Sequence, residues 1–162
     1  MIQSAAYEGF TDFDIWAMQQ ALKQAQVAAE QDEVPVGAVI VHEGQIIGKA
    51  HNQIEMLKDP TAHCEMIAIT QAASYLSSKW LHKCAIYVTL EPCAMCAGAL
   101  VLARISRLIF GAVDPKTGAC GSVFNIAQSN DLNHRIETRS GLLQDECGDI
   151  LKTFFQKKRI NE

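Results

Sequence analysis

Apolar residues recur at helical spacing near the beginning of the chain. Their spacing predicts a first helix from Asp12 to Glu30, and the residues that form the pattern are Ile15, Met18, Leu22, Ala25 and Ala29. Thr11, followed three residues later by Asp14, predicts an N-terminal cap for this helix. The local pattern therefore predicts both the helix and the residue at which it begins.

Short apolar runs alternate with helical patterns over the rest of the chain. Residues 36–41 and 45–50 predict two strands joined by a turn at Glu43-Gly44, and Pro60 is predicted to open a helix that continues to Leu76. The later elements are predicted as strand, helix, strand, strand and helix at residues 85–90, 93–103, 107–113, 135–138 and 143–158. An opening hairpin followed by alternating strands and helices predicts an α/β protein with a mixed sheet between helical layers.

The composition is that of one globular domain covering residues 1–162, with 49% hydrophobic and 20% charged residues. A formal net charge of −4 disfavours a protein that coats nucleic acid, so a nucleic-acid partner would have to meet a local basic patch. The N-terminus lacks the features of a signal peptide, and the apolar run at residues 92–103 is too short to cross a bilayer. We expect a cytoplasmic protein without membrane contact.

Metal-ligand chemistry is concentrated in two short segments. His63 precedes Cys64 and Glu65, and the segment Glu91-Pro92 leads directly into Cys93 and Cys96. A catalytic zinc ion takes three protein ligands and leaves one position for water, and one imidazole with two thiolates meets that need. Because Cys93 and Cys96 are spaced i, i+3 at the predicted start of a helix, they share a face near its positive end.

Glu65 is the predicted proton carrier of this site. Water activated by a metal still has to lose protons, and a carboxylate close to the ligands can move them. Residues i and i+2 in the middle of a helix point to nearly opposite sides, so His63 and Glu65 can serve one site only at the helix entrance. Pro60 is predicted to place both residues near that entrance.

Two simpler interpretations of the same residues are a structural zinc site and a pair of buried cysteines. A structural site normally has a fourth Cys or His, but Cys64 is adjacent to His63 and the other cysteines, at positions 84, 120 and 147, have no ligand spacing with the pair. The Cys-x-x-Cys spacing alone also occurs in redox proteins. The complete pattern, in which Glu65 accompanies all three ligands, favours one catalytic zinc ion per chain.

With these motifs the chain resembles the cytidine/deoxycytidylate deaminase superfamily and, more narrowly, the bacterial tRNA-specific adenosine deaminases. The resemblance extends from Glu33 to Arg159. The segments that carry it are Glu33-Val34-Pro35-Val36-Gly37-Ala38-Val39, Asp59-Pro60-Thr61-Ala62-His63, Tyr87-Val88-Thr89-Leu90-Glu91-Pro92-Cys93, Phe110-Gly111-Ala112, Asp114-Pro115-Lys116-Thr117-Gly118-Ala119 and Asn133-His134-Arg135. The Asp-x-Lys-Thr-Gly loop and the Asn-His motif carry the narrower part of the resemblance.

The resemblance implies a three-layer α/β/α fold of the cytidine-deaminase type, with a five-stranded sheet. It implies a homodimer that binds a tRNA anticodon stem-loop and converts adenosine at the first (wobble) anticodon position to inosine. It also implies that His63, Cys93 and Cys96 bind zinc while Glu65 moves protons. Three further roles follow by position: Asn52 contacts the flipped nucleoside, Val34 lines the base pocket and Asp114 contacts the substrate backbone.

Lys116 and Phe155 complete the predicted substrate contacts. Lys116 lies in the loop after Asp114, and Phe155 lies in a C-terminal segment where basic residues alternate with a Phe pair, a pattern suited to phosphates and an unstacked base. The simpler interpretations are a turn residue whose amide bonds to backbone for Asn52 and a charged surface loop for the segment after Asp114. We also expect at least one of Phe154 and Phe155 in the core.

Two other functions use the same residues. A deaminase of a free base or nucleotide, of the guanine or cytosine type, needs the same zinc ligands but a closed pocket, and Cys64 is common at this position in such enzymes. A structural zinc module that binds RNA is the non-enzymatic alternative. Glu65 argues against the module because a structural metal needs no proton carrier.

Overall fold

The computed structural model describes residues 7–161, and this part of the chain contains five strands and five helices. In chain order they are α1 (Asp12–Glu30), β1 (Gly37–His42), β2 (Gln45–His51), α2 (Ile54–Leu57), α3 (Cys64–Leu76), β3 (Cys84–Leu90), α4 (Ala94–Leu102), β4 (Arg107–Ala112), β5 (Glu137–Ser140) and α5 (Gln144–Ile160). None of the helices within residues 7–161 has the length and hydrophobicity that crossing a membrane requires.

The five strands form one mixed sheet in the order β2-β1-β3-β4-β5. Strand β1 pairs antiparallel with both β2 and β3, whereas the pairs β3–β4 and β4–β5 are parallel. In the central strand β3, Ile86 pairs with Ile40 of β1 on one side and with Leu108 of β4 on the other. The predicted mixed sheet of five strands is confirmed.

Helices cover both faces of the sheet and give three layers. Ile40 packs with the buried residues of α3 and α4, whereas its neighbours Val39 and Val41 pack on the opposite face with α1 and with Cys147 of α5. Successive strand residues face opposite sides, so a strand covered on both faces is apolar throughout. This explains the unbroken apolar run of β1 and confirms the α/β/α fold.

A buried carboxylate, that of Asp14, joins helix α1 to the sheet through hydrogen bonds. Thr11 and Asp14 form the predicted capping box, and Asp14 also accepts hydrogen bonds from the Tyr87 hydroxyl at 2.6 Å and from Arg107 at 3.0 Å. Burial raises the pKa of Asp14, but the bonds from Tyr87, Thr11 and Arg107 outweigh it, and the pKa lies below its usual range. Asp14 thus links α1 to strands β3 and β4.

The observed elements differ from the predicted ones by more than one residue at α2, α3, β5 and the end of α5, which is Ile160 and not Lys158. Helix α3 begins at Cys64 and not at Pro60, so His63 lies outside the helix as its N-cap. The short helix α2 was not predicted, and β5 begins at Glu137, two residues later than expected. The expectation of a core phenylalanine in α5 is wrong, since Phe154 is only half-buried and Phe155 is 45% exposed.

Candidate active site

The starts of α3 and α4 lie side by side and bring the predicted metal ligands together. His63 is the N-cap of α3, Cys93 is the N-cap of α4, and Cys96 lies in the first turn of α4. Both helices pack against the same face of the sheet. The positive ends of the two helices therefore meet at the cluster, and this arrangement favours thiolate over thiol.

The spacing of the three ligand atoms fits a tetrahedral metal ion. His63 Nδ1 lies 3.7 Å from Cys93 Sγ and 3.6 Å from Cys96 Sγ. Typical zinc–nitrogen and zinc–sulfur bond lengths with a tetrahedral angle place such atoms about 3.6 Å apart. The geometry also selects Nδ1 as the ligand nitrogen of the imidazole. The donor set, one nitrogen with two sulfurs, suits zinc.

Hydrogen bonds hold one of the two thiols as a thiolate. The Cys96 thiol and the His63 ring donate to Cys93 Sγ, and together they lower the pKa of Cys93 to about 4 despite its partial burial. The same bond to Cys93, together with burial, raises the pKa of Cys96. The pKa of His63 is raised by its bond to Cys93, and partial burial only partly opposes this. Binding of a metal ion would displace the protons that Cys96 and His63 share with Cys93.

Glu65 lies beside the ligands in the first turn of α3 and is 4% exposed. Burial raises its pKa above the usual range, and the hydrogen bond from the Cys64 thiol to Oε1, 2.9 Å long, only partly offsets this effect. A carboxyl group with a raised pKa can take up and release protons nearer neutral pH than an exposed one. Glu65 has the environment of a general acid and base.

A cavity of about 190 Å³ opens onto His63, Cys93 and Glu65. Ligand pockets for drug-sized molecules are typically ~300–1,000 Å³, so this cavity suits a single small group such as one base. Its remaining walls come from strand ends and loops: Val34, Val36, Asn52, Ile54, Leu90, Glu91, Asp114 and Thr117. The structure thus brings the predicted residues Val34, Asn52 and Asp114 to the metal ligands.

Asn52 bonds to the backbone and also lines the cavity. Its Oδ1 accepts the backbone N–H of Cys64 at 2.9 Å, so the amide bonds to backbone as the simpler interpretation expects. This bond caps the start of α3 and helps to place Glu65. The same side chain lines the cavity and can present its Nδ2 donor there.

Lys116 and Phe155 are not brought to this cavity. They line a separate surface depression of about 500 Å³, and the residues that share it are Leu151, Lys152, Lys158 and Arg159. Lys116 projects there from the loop that begins at Asp114, so the depression and the cavity are joined by one short segment. The two residues form a basic, aromatic surface beside the site.

Five wall residues were not predicted from the sequence as site residues: Val36, Ile54, Leu90, Glu91 and Thr117. Ile54 opens the unpredicted helix α2, and Thr117 donates its hydroxyl to Asp114 Oδ2 at 2.8 Å. Glu91 is buried between Leu90 and Pro92. Glu91 and Thr117 lie within the segments that carry the family resemblance, so the sequence drew attention to their positions. No motif includes Ile54.

The fold and the cluster of His63, Cys93, Cys96 and Glu65 define a deaminase domain, and the MafB19-like deaminase family matches residues 12–159. A tRNA-specific adenosine deaminase from Aquifex aeolicus is 54% identical over 141 residues, which cover 87% of this chain and 93% of that protein. The counterpart from Bacillus subtilis is 46% identical and covers 88% of each chain. The chain belongs to the family of tRNA-specific adenosine deaminases.

Solved structures agree with this assignment. A tRNA:A34 deaminase, described as performing A-to-I editing at the wobble position of transfer RNA, superposes with a TM-score of 0.81 at 43% identity and covers 84% of this chain and 99% of that one. A guanine deaminase from Nitrosomonas europaea superposes with a TM-score of 0.73 at 22% identity, over 86% of this chain and 83% of that one. The second likeness shows the shared fold alone.

Proposed function

We propose that this protein is a zinc-dependent enzyme that hydrolyses adenosine to inosine at the first (wobble) anticodon position of tRNA. The observation that carries the proposal is the meeting of three metal-ligand atoms and buried Glu65 at one base-sized cavity. The tRNA-specific family of the chain supports the choice of substrate. Because tRNA is the substrate, we expect the enzyme to act in the cytoplasm.

The zinc ion would be held by His63 Nδ1, Cys93 Sγ and Cys96 Sγ. It supplies Lewis acidity that lets water act as a nucleophile near neutral pH. The helices fix the ligands, since Cys96 lies in the first turn of α4, and His63 and Cys93 immediately precede α3 and α4 as their N-caps. No ligand lies on a free loop tip.

Glu65 would move the protons. It would take a proton from the attacking water and give it to N1 of adenine, and it would then move the remaining proton of the new C6 hydroxyl to the amine as the C6–N bond breaks. The water oxygen stays on C6 and the amine leaves as ammonia, so adenosine and water give inosine and ammonia. The Cys64 thiol, which donates to Oε1, orients the Glu65 carboxylate for both transfers.

The cavity walls would orient the nucleoside. Asn52 is fixed through Oδ1, so we assign its Nδ2 as the donor to the substrate. Val34 provides an apolar wall, and Asp114, which lines the same cavity, would contact the substrate backbone. A stacked base cannot reach such a cavity, and an anticodon loop lowers the cost of flipping one out.

The depression beside the cavity would receive the flanking RNA. Lys116, Lys152 and Arg159 give it positive charge, and Phe155, which is 45% exposed, offers a ring for stacking. The chain as a whole carries a net charge of −4, so phosphates have to be met by such a local surface. A free base would bring no phosphate to this surface.

We also propose a homodimer. Helix α4 presents Leu102 with 78% of its surface exposed, and the loop after Gly121 exposes Phe124 by 58%. The resemblance to the tRNA-specific deaminases implies the dimer, and we propose that these two side chains lie in its interface.

Sedimentation tests the dimer. The measured mass should be about twice the 17.8 kDa chain mass, and Leu102→Glu should shift it toward the monomer. Ile160→Glu, at an exposed position near the end of α5, is the matched control, and a monomeric wild type would refute the dimer.

Substrate preference tests the proposed function. The zinc-loaded protein is incubated separately with an anticodon stem-loop that has adenosine at the first position, with guanine and with cytidine, while ammonia and inosine are measured. We expect inosine from the stem-loop and little ammonia from the free compounds. Rapid turnover of guanine or cytidine with no inosine in the RNA would replace the proposal with a free-base deaminase. Zinc binding without turnover of any of them would favour the structural module.

A further inference from the structure

Glu91 is a buried carboxylate whose oxygens are directed at one loop. It lies at the end of β3, two residues before the metal ligand Cys93, and is 3% exposed. Oε1 accepts the backbone N–H of Asp114 at 3.1 Å. Oε2 accepts the N–H of Cys120 at 3.0 Å and both the N–H and the hydroxyl of Ser122, at 3.2 Å and 2.9 Å.

These bonds compensate for burying a polar side chain. A buried carboxyl group without hydrogen-bond partners is strongly unfavourable, and here both oxygens of Glu91 have N–H or hydroxyl partners. All four donors belong to the loop from residue 114 to residue 122, which the proposed function assigns to substrate contact. The carboxylate of Glu91 is therefore committed to the loop, although the residue also lines the cavity.

The loop is built around this carboxylate. A Cβ atom at Gly118 would overlap both the Glu91 carboxylate and the Ser122 hydroxyl, so the loop can close over Glu91 only with glycine there. The Ser122 hydroxyl also lies 2.8 Å from the carbonyl of Asp114, so its one hydrogen is shared between this oxygen and Glu91 Oε2, and the Ala119 N–H donates to the carbonyl of Pro92 at 2.9 Å. The loop and the metal-ligand segment thus form one hydrogen-bonded unit.

We infer that Glu91 is a positioning residue, which sets the distance between the metal site and the substrate-binding edge of the loop at Asp114. This inference rests on the proposed function for the role of Asp114. The proposed role of Glu91 is indirect: it acts by fixing the Asp114 backbone, and Asp114 in turn accepts the N–H groups of Lys116 and Thr117 at its Oδ1.

The bonds from Glu91 to the loop form a tether with two ends: Oε1 bonds to Asp114, and Oε2 bonds to Cys120 and Ser122. The variant Glu91→Gln tests these two ends separately. A glutamine has one acceptor oxygen, and that oxygen can satisfy the Cys120 and Ser122 donors only if its NH2 group faces the N–H of Asp114. The Asp114 end is then repelled while the other end is retained. We expect hydrogen exchange at the Asp114 amide to accelerate at least tenfold. The Ala97 amide, which donates to the Cys93 carbonyl in α4, should keep wild-type protection.

The kinetic consequence should fall on substrate binding. For the stem-loop substrate we expect Glu91→Gln to raise KM about tenfold, with kcat within about threefold of wild type and zinc content unchanged. Asp14→Asn is the matched control, because it alters another buried carboxylate far along the chain. It should lower stability without raising KM.

A double-mutant cycle with Asp114→Ala distinguishes positioning from a general structural effect. If Glu91 acts through Asp114, the double variant should have a KM no higher than that of the more affected single variant. Multiplying effects, an unchanged KM in Glu91→Gln, or loss of zinc from that variant would overturn the inference.

Two provisions keep the test decisive. If Glu91→Gln does not fold, Ser122→Ala removes one donor at an exposed position and should raise KM two- to threefold, and an unchanged KM there would equally overturn the inference. If the wild type forms no inosine, the proposed function fails. The exchange rates still decide whether Glu91 holds the loop, and equal exchange at Asp114 in wild type and variant would refute the tether.

Discussion

His63 immediately precedes helix α3 and Glu65 lies in its first turn, yet both side chains line the same cavity. Two residues apart in a continuous helix, they would point to nearly opposite sides. The extended backbone of the His63 N-cap removes that conflict, because its φ and ψ angles of −73° and 149° turn the imidazole toward the cysteines. The helix boundary is therefore what allows a ligand and a proton carrier to share one site.

Replacing Glu65 should abolish turnover without loss of metal. Glu65→Gln keeps the size of the side chain but removes the group that takes up protons, so kcat should fall by a factor of about 10²–10⁴. Zinc per chain, measured by elemental analysis, should stay near one because Glu65 is not a ligand. Near-normal turnover, or zinc loss comparable to that of a ligand variant, would contradict the assigned role.

Replacing one ligand should remove the metal. Cys96→Ser should lower zinc content to well below half an ion per chain, since a hydroxyl is a poor substitute for a thiolate. Cys147→Ala is the control because Cys147 is equally buried but lies in α5 and packs on the other face of the sheet. Elemental analysis after dialysis measures both, and full zinc retention in Cys96→Ser would show that the ion is bound elsewhere.

The Asp14 network should make stability depend on acid pH. The pKa of Asp14 is lowered in the folded state, so its contribution is complete above the unfolded value of about 3.9 and disappears as pH falls through the folded pKa. Asp14→Asn should lower the free energy of unfolding by about 1–3 kcal/mol at neutral pH, because buried partners lose an acceptor. The difference from wild type should shrink in urea titrations at progressively lower pH.

The control for that experiment is Glu137→Gln. Glu137 approaches the same Arg107 at 3.8 Å but is 70% exposed, so its loss should change stability by less than about 1 kcal/mol. Equal effects of the Asp14 and Glu137 variants, or an Asp14→Asn difference that grows as the pH falls, would show that the buried network does not contribute in this way.

The basic residues of α5 should differ in their effect on RNA. Lys152 lines the depression with Lys116, whereas Lys157 lines a groove between α1 and α5 beside Glu146 and Asp149. Lys152→Ala should weaken stem-loop binding and reduce the slope of log affinity against log salt by up to about 0.9, the value for one phosphate contact. Lys157→Ala should change neither. Binding titrations at several salt concentrations measure affinity and slope for each variant. A slope for Lys152→Ala identical to that of wild type would show that the depression does not contact RNA phosphates.

The sequence predicted best what is determined locally. The capping box of Thr11 and Asp14 contains its own signal within four residues, and helix α1 begins and ends where the pattern predicts. The three metal ligands and Glu65 were equally accessible, because their spacing is a chemical motif. The wall residues Val34, Asn52 and Asp114 came from family resemblance, since no local pattern marks them.

The errors arise where distant side chains determine local structure. Helix α3 begins at Cys64 because Asn52, twelve positions earlier, caps its first N–H, and this outweighs the helix-opening tendency of Pro60. Helix α2 exists because the carboxylate of Glu33 accepts the N–H groups of Glu55 and Met56, more than twenty positions later. Such caps depend on the tertiary fold, so a window along the sequence does not reveal them.

The central claim is hydrolysis of one particular adenosine, and the mass of the nucleoside at that position tests it most directly. The zinc-loaded protein is given an anticodon stem-loop, with adenosines both at the first anticodon position and elsewhere, in water labelled with heavy oxygen. We predict inosine that carries one heavy oxygen at the first anticodon position and unchanged adenosine at the others, with no such product from Glu65→Gln. Unchanged adenosine at that position, while guanine supplied to the same preparation is converted, would contradict the account.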